Sequence, residues 1–240
     1  MDPIEFLYRF KMEDGREDVF ELKLDPLKLQ IINDDGAPMP DWTALDVHQC
    51  QNCPLDPEDS PRCPAAVNMV GLVQRFDTLL SYDETKVTVV TDERQVLGET
   101  TIQRAVCSLM GLLMAASACP LMDFFKPMAR FHLPFASTAE TIWRATSTYL
   151  MSQYFYHSDG AEADIHFEGL SHIYEEVQIV NLAFAKRLRQ ACRQDSMINA
   201  IVLLDMFAQS MPSAIDESLE QIRYMFIPYL SHYNVLKPVS

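Results

Sequence analysis

Glycine is scarce in this chain, which has only seven glycines among 240 residues. No Gly-x-Gly-x2-Gly, Walker loop, Gly-x-Ser-x-Gly elbow or His-Glu-x2-His motif occurs in the sequence. Backbone N–H groups of glycine-rich loops are the usual cradle for phosphates, and the elbow is the usual seat of a hydrolase serine. The absence of these motifs excludes nucleotide binding and hydrolysis by the common routes, and we predict no catalytic residues.

Positive charge is also in short supply, with 19 Lys and Arg against 34 Asp and Glu and a formal net charge of -15. The field of such a chain repels phosphate backbones and anionic lipid surfaces. The one basic stretch, residues 186–193, is interpreted as the solvated face of a helix. We therefore expect neither a nucleic-acid partner nor a membrane partner.

Long charge-free runs are limited to residues 105–122, which reach the lower limit for a membrane-spanning helix. Pro120 lies inside the run and no aromatic belt flanks it, so we interpret it as a buried central helix, with a membrane helix as the alternative. The amino terminus carries acids where a secretory signal would be basic. These features predict a cytoplasmic protein, in which cysteines stay reduced.

The first hundred residues are rich in strand signals. One hairpin is expected from Ile4–Met12 and residues 19–24, and another from residues 86–91 and 94–99, each around a short polar turn. The other expected elements are a strand at 28–32, an acidic loop at 34–40, a strand at 42–47 and a helix at 65–80.

From residue 101 onward the apolar spacing is almost wholly helical. After the buried helix, Ser137 and Glu140 form a capping-box signature that opens a helix reaching about Tyr156. The further expected helices cover residues 168–194, 196–210 and 213–230. The predicted fold class is α+β: an N-terminal part (1–100) of β-hairpins with one helix and a Cys/His loop, and a C-terminal all-helical bundle (101–240) packed on it.

The stretch "HQCQNCPLDPEDSPRCP" concentrates His48, Cys50, Cys53 and Cys63 in a loop rich in proline and acids. A Cys-x2-Cys step lets two thiolates reach one ion from a tight turn, and Cys63 with His48 completes the four ligands of a closed structural zinc site. A bound metal would also order a loop that has few apolar residues of its own. We predict Zn²⁺ at these four residues.

Other interpretations of the cluster remain open. The three cysteines and His48 are also consistent with ordinary core and strand residues. An iron–sulfur cluster, a thiol redox pair at Cys50 and Cys53, and haem ligation are further alternatives, because Cys-Pro pairs occur at Cys53, Cys63 and Cys119.

A second candidate site follows the charge-free run. Lys126, Arg130 and His132 stand among phenylalanines and prolines, and Cys119 ends the preceding helix. Together, these four residues are a candidate ligand pocket or a thiol site with an anion-binding arginine. The alternative is an irregular connection that buries its phenylalanines and pairs Arg130 with an acid.

A third group, His172, Glu175 and Glu176, shares one face of a predicted helix. Carboxylate-bridged di-iron bundles need two Glu-x2-His motifs and two further glutamates. The order is reversed here and no second copy exists. We interpret the group as a solvated helix face.

The chain resembles a bacterial family catalogued as a domain of unknown function. The resemblance covers nearly the whole sequence and rests on "DGREDVFELKLDP", "HQCQNCPLDP", "SLMGLLMAASACP", "KPMARFHLPFAS", "RATSTYLMSQYF" and "NAIVLLDMFAQSMPSAIDESL". It implies a bacterial protein and assigns no activity, ligand or residue role.

Taken together, the sequence predicts a non-enzymatic, metal-stabilised module for regulation or protein interaction, with a homodimer among the expected assemblies. The first alternative is a thiol-dependent redox sensor or enzyme that uses Cys119 or the Cys50/Cys53 pair. The second alternative is a haem or iron–sulfur sensor.

Overall fold

Four strands and seven α-helices make up the part of the chain, residues 1–32 and 39–236, that a computed structural model describes. The elements are β1 (Ile4–Met12), β2 (Glu17–Leu24), α1 (Pro64–Phe76), β3 (Glu84–Val90), β4 (Gln95–Thr101), α2 (Ile102–Ala115), α3 (Lys126–Arg130), α4 (Thr138–Ser158), α5 (Glu168–Ala191), α6 (Ser196–Ile222) and α7 (Ile227–Leu236). The α+β class with a helical carboxy-terminal half is confirmed. The division at residue 100 stays a prediction.

The strands form one antiparallel sheet in the order β2-β1-β3-β4, which confirms both predicted hairpins. Successive side chains of a strand point to opposite faces, and in β1 the inner face carries Phe6, Tyr8, Phe10 and Met12, all buried. The outer face is polar and carries ion pairs such as Arg9 with Glu17, Lys23 with Glu5 and Lys86 with Glu99. One face of the sheet is therefore committed to the core.

The prediction of a strand at residues 28–32 is wrong. The Asp25 carboxylate accepts hydrogen bonds from the N–H groups of Leu27 (2.9 Å) and Lys28 (2.7 Å) and closes a turn. Only an isolated bridge to Ile31 remains, because the Ile31 N–H donates to the carbonyl of Ala116 and not to a strand. The acidic loop predicted for residues 34–40 lies mostly outside the described residues.

The strand predicted at residues 42–47 is also wrong. The segment begins in a short 3-10 helix, Asp41–Thr43, and continues in turns, with one bridge from Ala44 to Arg62. Arg62 donates from Nη1 to the Pro40 carbonyl at 2.9 Å. Side-chain hydrogen bonds replace the strand ladder in this region.

The predicted helix at 213–230 does not begin at Pro212, because α6 runs from Ser196 through Pro212 to Ile222. Proline removes the N–H that would bond the carbonyl four residues earlier, which belongs to Ala208. The Gln178 side chain of α5 donates to that carbonyl at 3.3 Å. A neighbouring helix thus supplies the missing donor, and Met211 stays fully buried on the continuous face.

The charge-free run forms α2, whose side chains are mostly buried against the sheet, α1 and α6. The helix ends earlier than predicted, because Ser117 donates to the Met114 carbonyl at 2.7 Å and Asn68 donates to the Leu113 carbonyl at 3.0 Å. In the described residues, no single helix is long and apolar enough to cross a membrane. Only α2 taken with Pro120–Arg130 reaches that length, as a pair bent by 113°.

The predicted capping box is present at the start of α4. The Glu140 N–H donates to the Ser137 hydroxyl at 3.3 Å, and the Ser137 N–H donates to the Glu140 carboxylate at 2.8 Å. This reciprocal pair satisfies two of the free N–H groups of a helix start. The helix end predicted near Tyr156 is confirmed within two residues.

We expect Gly169→Ala to destabilise the fold, whereas Gly71→Ala leaves it unchanged or more stable. A Cβ at Gly169 would lie 2.2 Å from the Tyr149 hydroxyl, which donates to Asp164 at 2.7 Å. Displacing that ring costs about 1–3 kcal/mol. Gly71 has open space within α1, where alanine gains up to about 1 kcal/mol in helix propensity. Urea unfolding of the two variants measures the difference, and equal midpoints would contradict the expectation.

Candidate functional site

The cysteine-rich loop ends at the start of α1 and directs two of its cysteines to the core. Cys50 and Cys53 flank a tight turn in which the Cys53 N–H donates to the Cys50 carbonyl at 3.1 Å. Cys63 directly precedes α1, and its N–H donates to the Thr43 carbonyl at 2.8 Å. Cys50 and Cys63 both pack against the main hydrophobic cluster. The loop therefore brings its thiols to the protein side and not to solvent.

A fourth cysteine, Cys119, lies in the same neighbourhood. It precedes the 3-10 helix Pro120–Phe125 and is buried. Burial raises the pKa of its thiol to about 12, and negative charge on Cys63, Cys50 and Cys53 raises that pKa further. Charges act in this way only on groups that are close in space. We call these four residues the thiol cluster.

The sequence placed Cys119 in a different site from the other three cysteines. Their common signal is the following proline, since Cys53, Cys63 and Cys119 all precede one. Sequence distance hid the association, because Cys119 reaches the loop only after α2 has crossed the core. The contact is carried by Asn68 of α1, whose side chain donates to carbonyls at the end of α2.

Arg187 of α5 enters the loop from the helical half. It is 2% exposed and is the largest of the fully buried side chains in the described part of the chain. Its Nη1 donates to the carbonyls of Trp42 and Ala44, both at 2.6 Å, and its Nη2 donates to the Leu45 carbonyl at 3.3 Å. Because a guanidinium is a rigid planar fork, these bonds hold the segment before the cysteines against α5.

The charge of Arg187 lacks a carboxylate at ion-pair distance within residues 1–32 and 39–236. Burial lowers the pKa of its guanidinium, while negative charge on Cys63, Cys50, Asp46 and Cys53 raises that pKa. Asp46 is exposed. A buried cation is costly unless an anion compensates it. Because burial raises the pKa of Cys50 and Cys119, these thiols would supply negative charge only when they bind a metal as thiolates.

Asn52, between the first two cysteines, ties the loop to α5 at a second point. Its Nδ2 donates to the Glu176 carbonyl at 3.0 Å and to the Glu176 carboxylate at 2.7 Å. The neighbouring His172 and Glu175 form an exposed pair at 3.6 Å, as expected for a solvated helix face. Glu176 departs from that interpretation, because it anchors the loop.

No metal geometry is preformed: among the residues that the structure describes, no group of three or more His, Cys, Asp or Glu side chains is arranged to hold an ion. His48 is exposed, and its backbone lies in the left-handed region with φ 49°. A thiol moves by rotation about one bond between staggered positions. The zinc site at His48, Cys50, Cys53 and Cys63 stays a prediction, with Cys119 as a competitor for the fourth position.

The thiols do not have the electrostatics of reactive cysteines. Burial raises the pKa of Cys50 to about 11, with Cys63 and Cys53 adding to the effect and Arg187 opposing it. Burial likewise raises the pKa of Cys107 and Cys192 to about 12. A nucleophilic or redox-sensing cysteine needs a lowered pKa and access to solvent. The thiol-dependent alternative stays a prediction that these surroundings do not favour.

The four residues of the predicted ligand pocket have separate surroundings: Cys119 belongs to the thiol cluster, and the others are Lys126, Arg130 and His132. Lys126 pairs with Asp123 at 2.6 Å. Arg130 pairs with Glu93 at 3.7 Å and stacks on the Phe131 ring. Only His132 among the four lines a cavity that the helical half forms with the end of β4.

His132 links the sheet to the helices as a neutral ring. Its Nε2 shares a hydrogen bond with the Tyr8 hydroxyl, and its ring packs edge-on against Phe6. Burial lowers the pKa of His132 to about 3, and the charge of Arg144 lowers it further. The uncharged ring suits packing between β1 and the 126–135 segment, and not proton transfer near neutral pH.

The cavity itself has a volume of about 560 Å³ and lies among α2, α4, α5 and α6. Its walls are mostly apolar, with Leu112, Met122, Phe125 and Phe207 among them. The polar groups at its wall include Arg144, Tyr174 and Asn181. No motif in the sequence indicates these three residues, because they come from two different helices and follow no motif spacing.

These features define an α+β protein in which a buried arginine of the helical half clamps a cysteine-rich loop. The chain belongs to the family described as Domain of unknown function (DUF6901), which matches residues 6–227. The family resemblance seen in the sequence is therefore confirmed. No curated protein and no solved structure matches the chain.

We expect Arg187→Met to destabilise the protein by about 3 kcal/mol or more, because it removes the side-chain donor of the Trp42 and Leu45 carbonyls and leaves the Ala44 carbonyl with only the Val47 N–H at 3.3 Å. Arg187→Lys restores only part of the loss, since an ammonium cannot span the three acceptors. Arg189→Met, at an exposed position of the same helix, serves as the control and stays within about 0.5 kcal/mol of wild type. Urea unfolding measures the stability of all three variants. Equal losses of stability in Arg187→Met and Arg189→Met would contradict the proposed role of Arg187 in holding the loop.

Proposed function

We propose that this protein is a non-enzymatic cytoplasmic module in which a thiolate-bound metal joins the loop to the helical half and an aromatic helix face binds a partner protein. The observation that carries the metal part is that Cys50, Cys63 and Cys119 belong to or pack against the hydrophobic core, next to the loop segment that the buried Arg187 holds. All six cysteines are free, in keeping with a reducing compartment.

Charge balance supports a metal at the thiol cluster. A divalent ion bound only by thiolates carries a net negative charge, and Arg187 compensates that charge from within the protein. Metal binding would also offset the raised pKa values of Cys50 and Cys119, because thiols bind metal as thiolates. Four protein ligands leave no open position, so the site is structural and not catalytic.

Cys119 is the better candidate for the fourth ligand, in place of His48. Cys119 is buried and Cys50, Cys53 and Cys63 are half-buried, whereas His48 is exposed. Zinc is the ion we propose, because four thiolates form a common structural zinc set. The same four thiolates also suit an iron–sulfur cluster, which the test below distinguishes by colour and iron content.

The proposed interaction surface is the exposed part of α4, mainly its carboxy-terminal end, where neighbouring side chains project about 100° apart around the helix. Three consecutive aromatic side chains, Tyr154, Phe155 and Tyr156, are 63%, 58% and 59% exposed. Trp143 at the start of the same helix is also exposed and stacks on Phe226, with ring centroids 5.7 Å apart. Large exposed apolar patches mark interaction sites in soluble proteins.

A second copy of the chain is the partner that this face suits. Residues 145–156 contain no charged side chain, so two copies can approach here without direct repulsion despite the acidity of the whole chain. An interface between identical copies pairs the same patch with itself. The module is thus proposed to act as a homodimer.

Metal content of anaerobically purified, untagged variants tests the thiol cluster. We expect about one zinc per chain in wild type, loss of metal and a lower Tm in Cys53→Ser and Cys119→Ser, and full metal in His48→Ala. Cys192→Ser is the matched control and should retain the metal.

Other outcomes of this experiment are equally clear. If the protein contains iron and absorbs visible light, the bound group is an iron–sulfur cluster and not a zinc ion. If His48→Ala loses the metal and Cys119→Ser retains it, His48 and not Cys119 is the fourth metal ligand. Folded wild-type protein without metal, unaffected by chelator, would refute the metal site.

Light scattering coupled to size-exclusion chromatography tests the dimer. We expect wild type to elute with twice the chain mass of 27.4 kDa and Phe155→Glu to elute as a monomer, because a buried unpaired charge is costly at an apolar interface. Leu97→Glu, at an exposed position of β4, is the control and should remain dimeric. A wild-type monomer at high concentration would contradict the proposal.

A further inference from the structure

The cavity of the helical half has the size and lining of a small-molecule site. Its volume of about 560 Å³ falls within the usual range of ligand pockets, which are mostly apolar with a few placed polar groups. Its apolar walls come from α2, α5, α6 and the segment after Cys119, including Met122, Phe125, Leu204 and Phe207. An apolar chain or ring fits such walls.

Arg144 supplies a cation at the cavity wall. Its Nη2 donates to the carbonyls of Met128 (2.6 Å) and Phe131 (3.0 Å), which fixes the guanidinium in place. Its Nη1 and Nε make no hydrogen bond within the described residues, and no carboxylate forms an ion pair with it there. The nearby Glu140 carboxylate is engaged in the capping box with Ser137. Because both N–H groups of Nη2 are used on these two carbonyls, the N–H groups of Nη1 and Nε are the donors of Arg144 that remain available.

Tyr174 supplies a second donor. Its side chain is 3% exposed and its ring packs edge-on against Phe125 and Phe207, yet its hydroxyl has no hydrogen-bond partner in the part of the chain that the structure describes. The hydroxyl oxygen itself is not fully enclosed by protein, so it can donate into the cavity. Tyr174 lines the cavity and lies near Arg144, whose charge opposes the effect of burial on the tyrosine pKa. A ligand oxygen would satisfy this hydroxyl.

The charges around the cavity favour an anionic ligand. Glu99 is the acidic residue among the lining side chains, and Lys86 neutralises it at 2.7 Å. His132 is held by Tyr8 and its ring is neutral. Arg104 and Arg144 then remain, so the local charge is positive in a chain whose net charge is -15.

We propose that this cavity binds a small amphiphilic carboxylate, with the carboxylate on Arg144 and Tyr174 and the apolar body between α2 and α6. A carboxylate has two oxygens, so one can accept from a remaining N–H of Arg144 and the other from the Tyr174 hydroxyl, and its single charge matches that of the guanidinium. This inference is independent of the thiol cluster and of the dimer. It makes the module a receptor for an apolar acid.

Isothermal titration with three ten-carbon probes tests the proposal: decanoate, the neutral decanol and the cationic decyltrimethylammonium. We expect wild type to prefer decanoate. Arg144→Gln should lower the affinity for decanoate about tenfold or more, because a charged hydrogen bond is lost. The affinity for decanol should not change. Tyr174→Phe should weaken decanoate by a smaller factor. Arg130→Gln is the control, because Arg130 is outside the cavity and pairs with Glu93.

Gly111→Leu provides a test that leaves both polar groups intact. A Cβ at Gly111 meets only Leu204, at an ordinary 3.7 Å, so a larger side chain there fills the cavity without disrupting the helix. We expect this variant to bind neither decanoate nor decanol, while its circular dichroism spectrum and Tm remain those of wild type. Preference for decanol or for the cation, no binding of any probe to folded wild type, or unchanged decanoate binding in Arg144→Gln would overturn the proposal.

Discussion

The buried guanidinium of Arg187 is the interaction on which the arrangement of the two halves depends. One side chain of α5 satisfies three carbonyls of residues 42–45, a segment that forms neither a strand nor a long helix. Since buried carbonyls need donors, this segment can leave solvent only where the arginine is present. The cysteine-rich loop begins directly after it, so the position of the thiols follows from the same contact.

The same helix organises the rest of the carboxy-terminal half. Asn52 bonds to Glu176 near the middle of α5, and Gln178 satisfies the carbonyl that Pro212 leaves free in α6. Tyr174 of α5 also forms part of the cavity wall. The helix α5 therefore anchors the loop, packs against α6 and contributes to the cavity wall. On the other side of the cavity, the hydrogen bond between Tyr8 and His132 connects the wall to the sheet.

Local signals in the sequence were reliable where the structure is local. The alternation in β1, the turn between β1 and β2 and the capping box of Ser137 and Glu140 each involve residues within a few positions of one another, and each is present as predicted. The wrong predictions share a different cause. Residues 28–32 and 42–47 have strand-like composition, yet Asp25 and Arg187 provide their backbone with other partners. In the sequence, Pro212 indicates a break between two helices. The helix continues through it because the Gln178 side chain donates to the Ala208 carbonyl, which the proline cannot bond.

By itself, the sequence determined the α+β class, the helical second half and the concentration of cysteines in one loop, because composition and periodicity carry those properties. Only the tertiary structure decided which groups meet. Cys119 joins Cys50, Cys53 and Cys63 because α2 returns the chain to the start of α1. Arg144 and Tyr174 meet at one cavity wall because α4 and α5 both pack on α6. These contacts depend on how elements that are distant in the sequence pack together. No periodicity or residue spacing in the sequence indicates that packing.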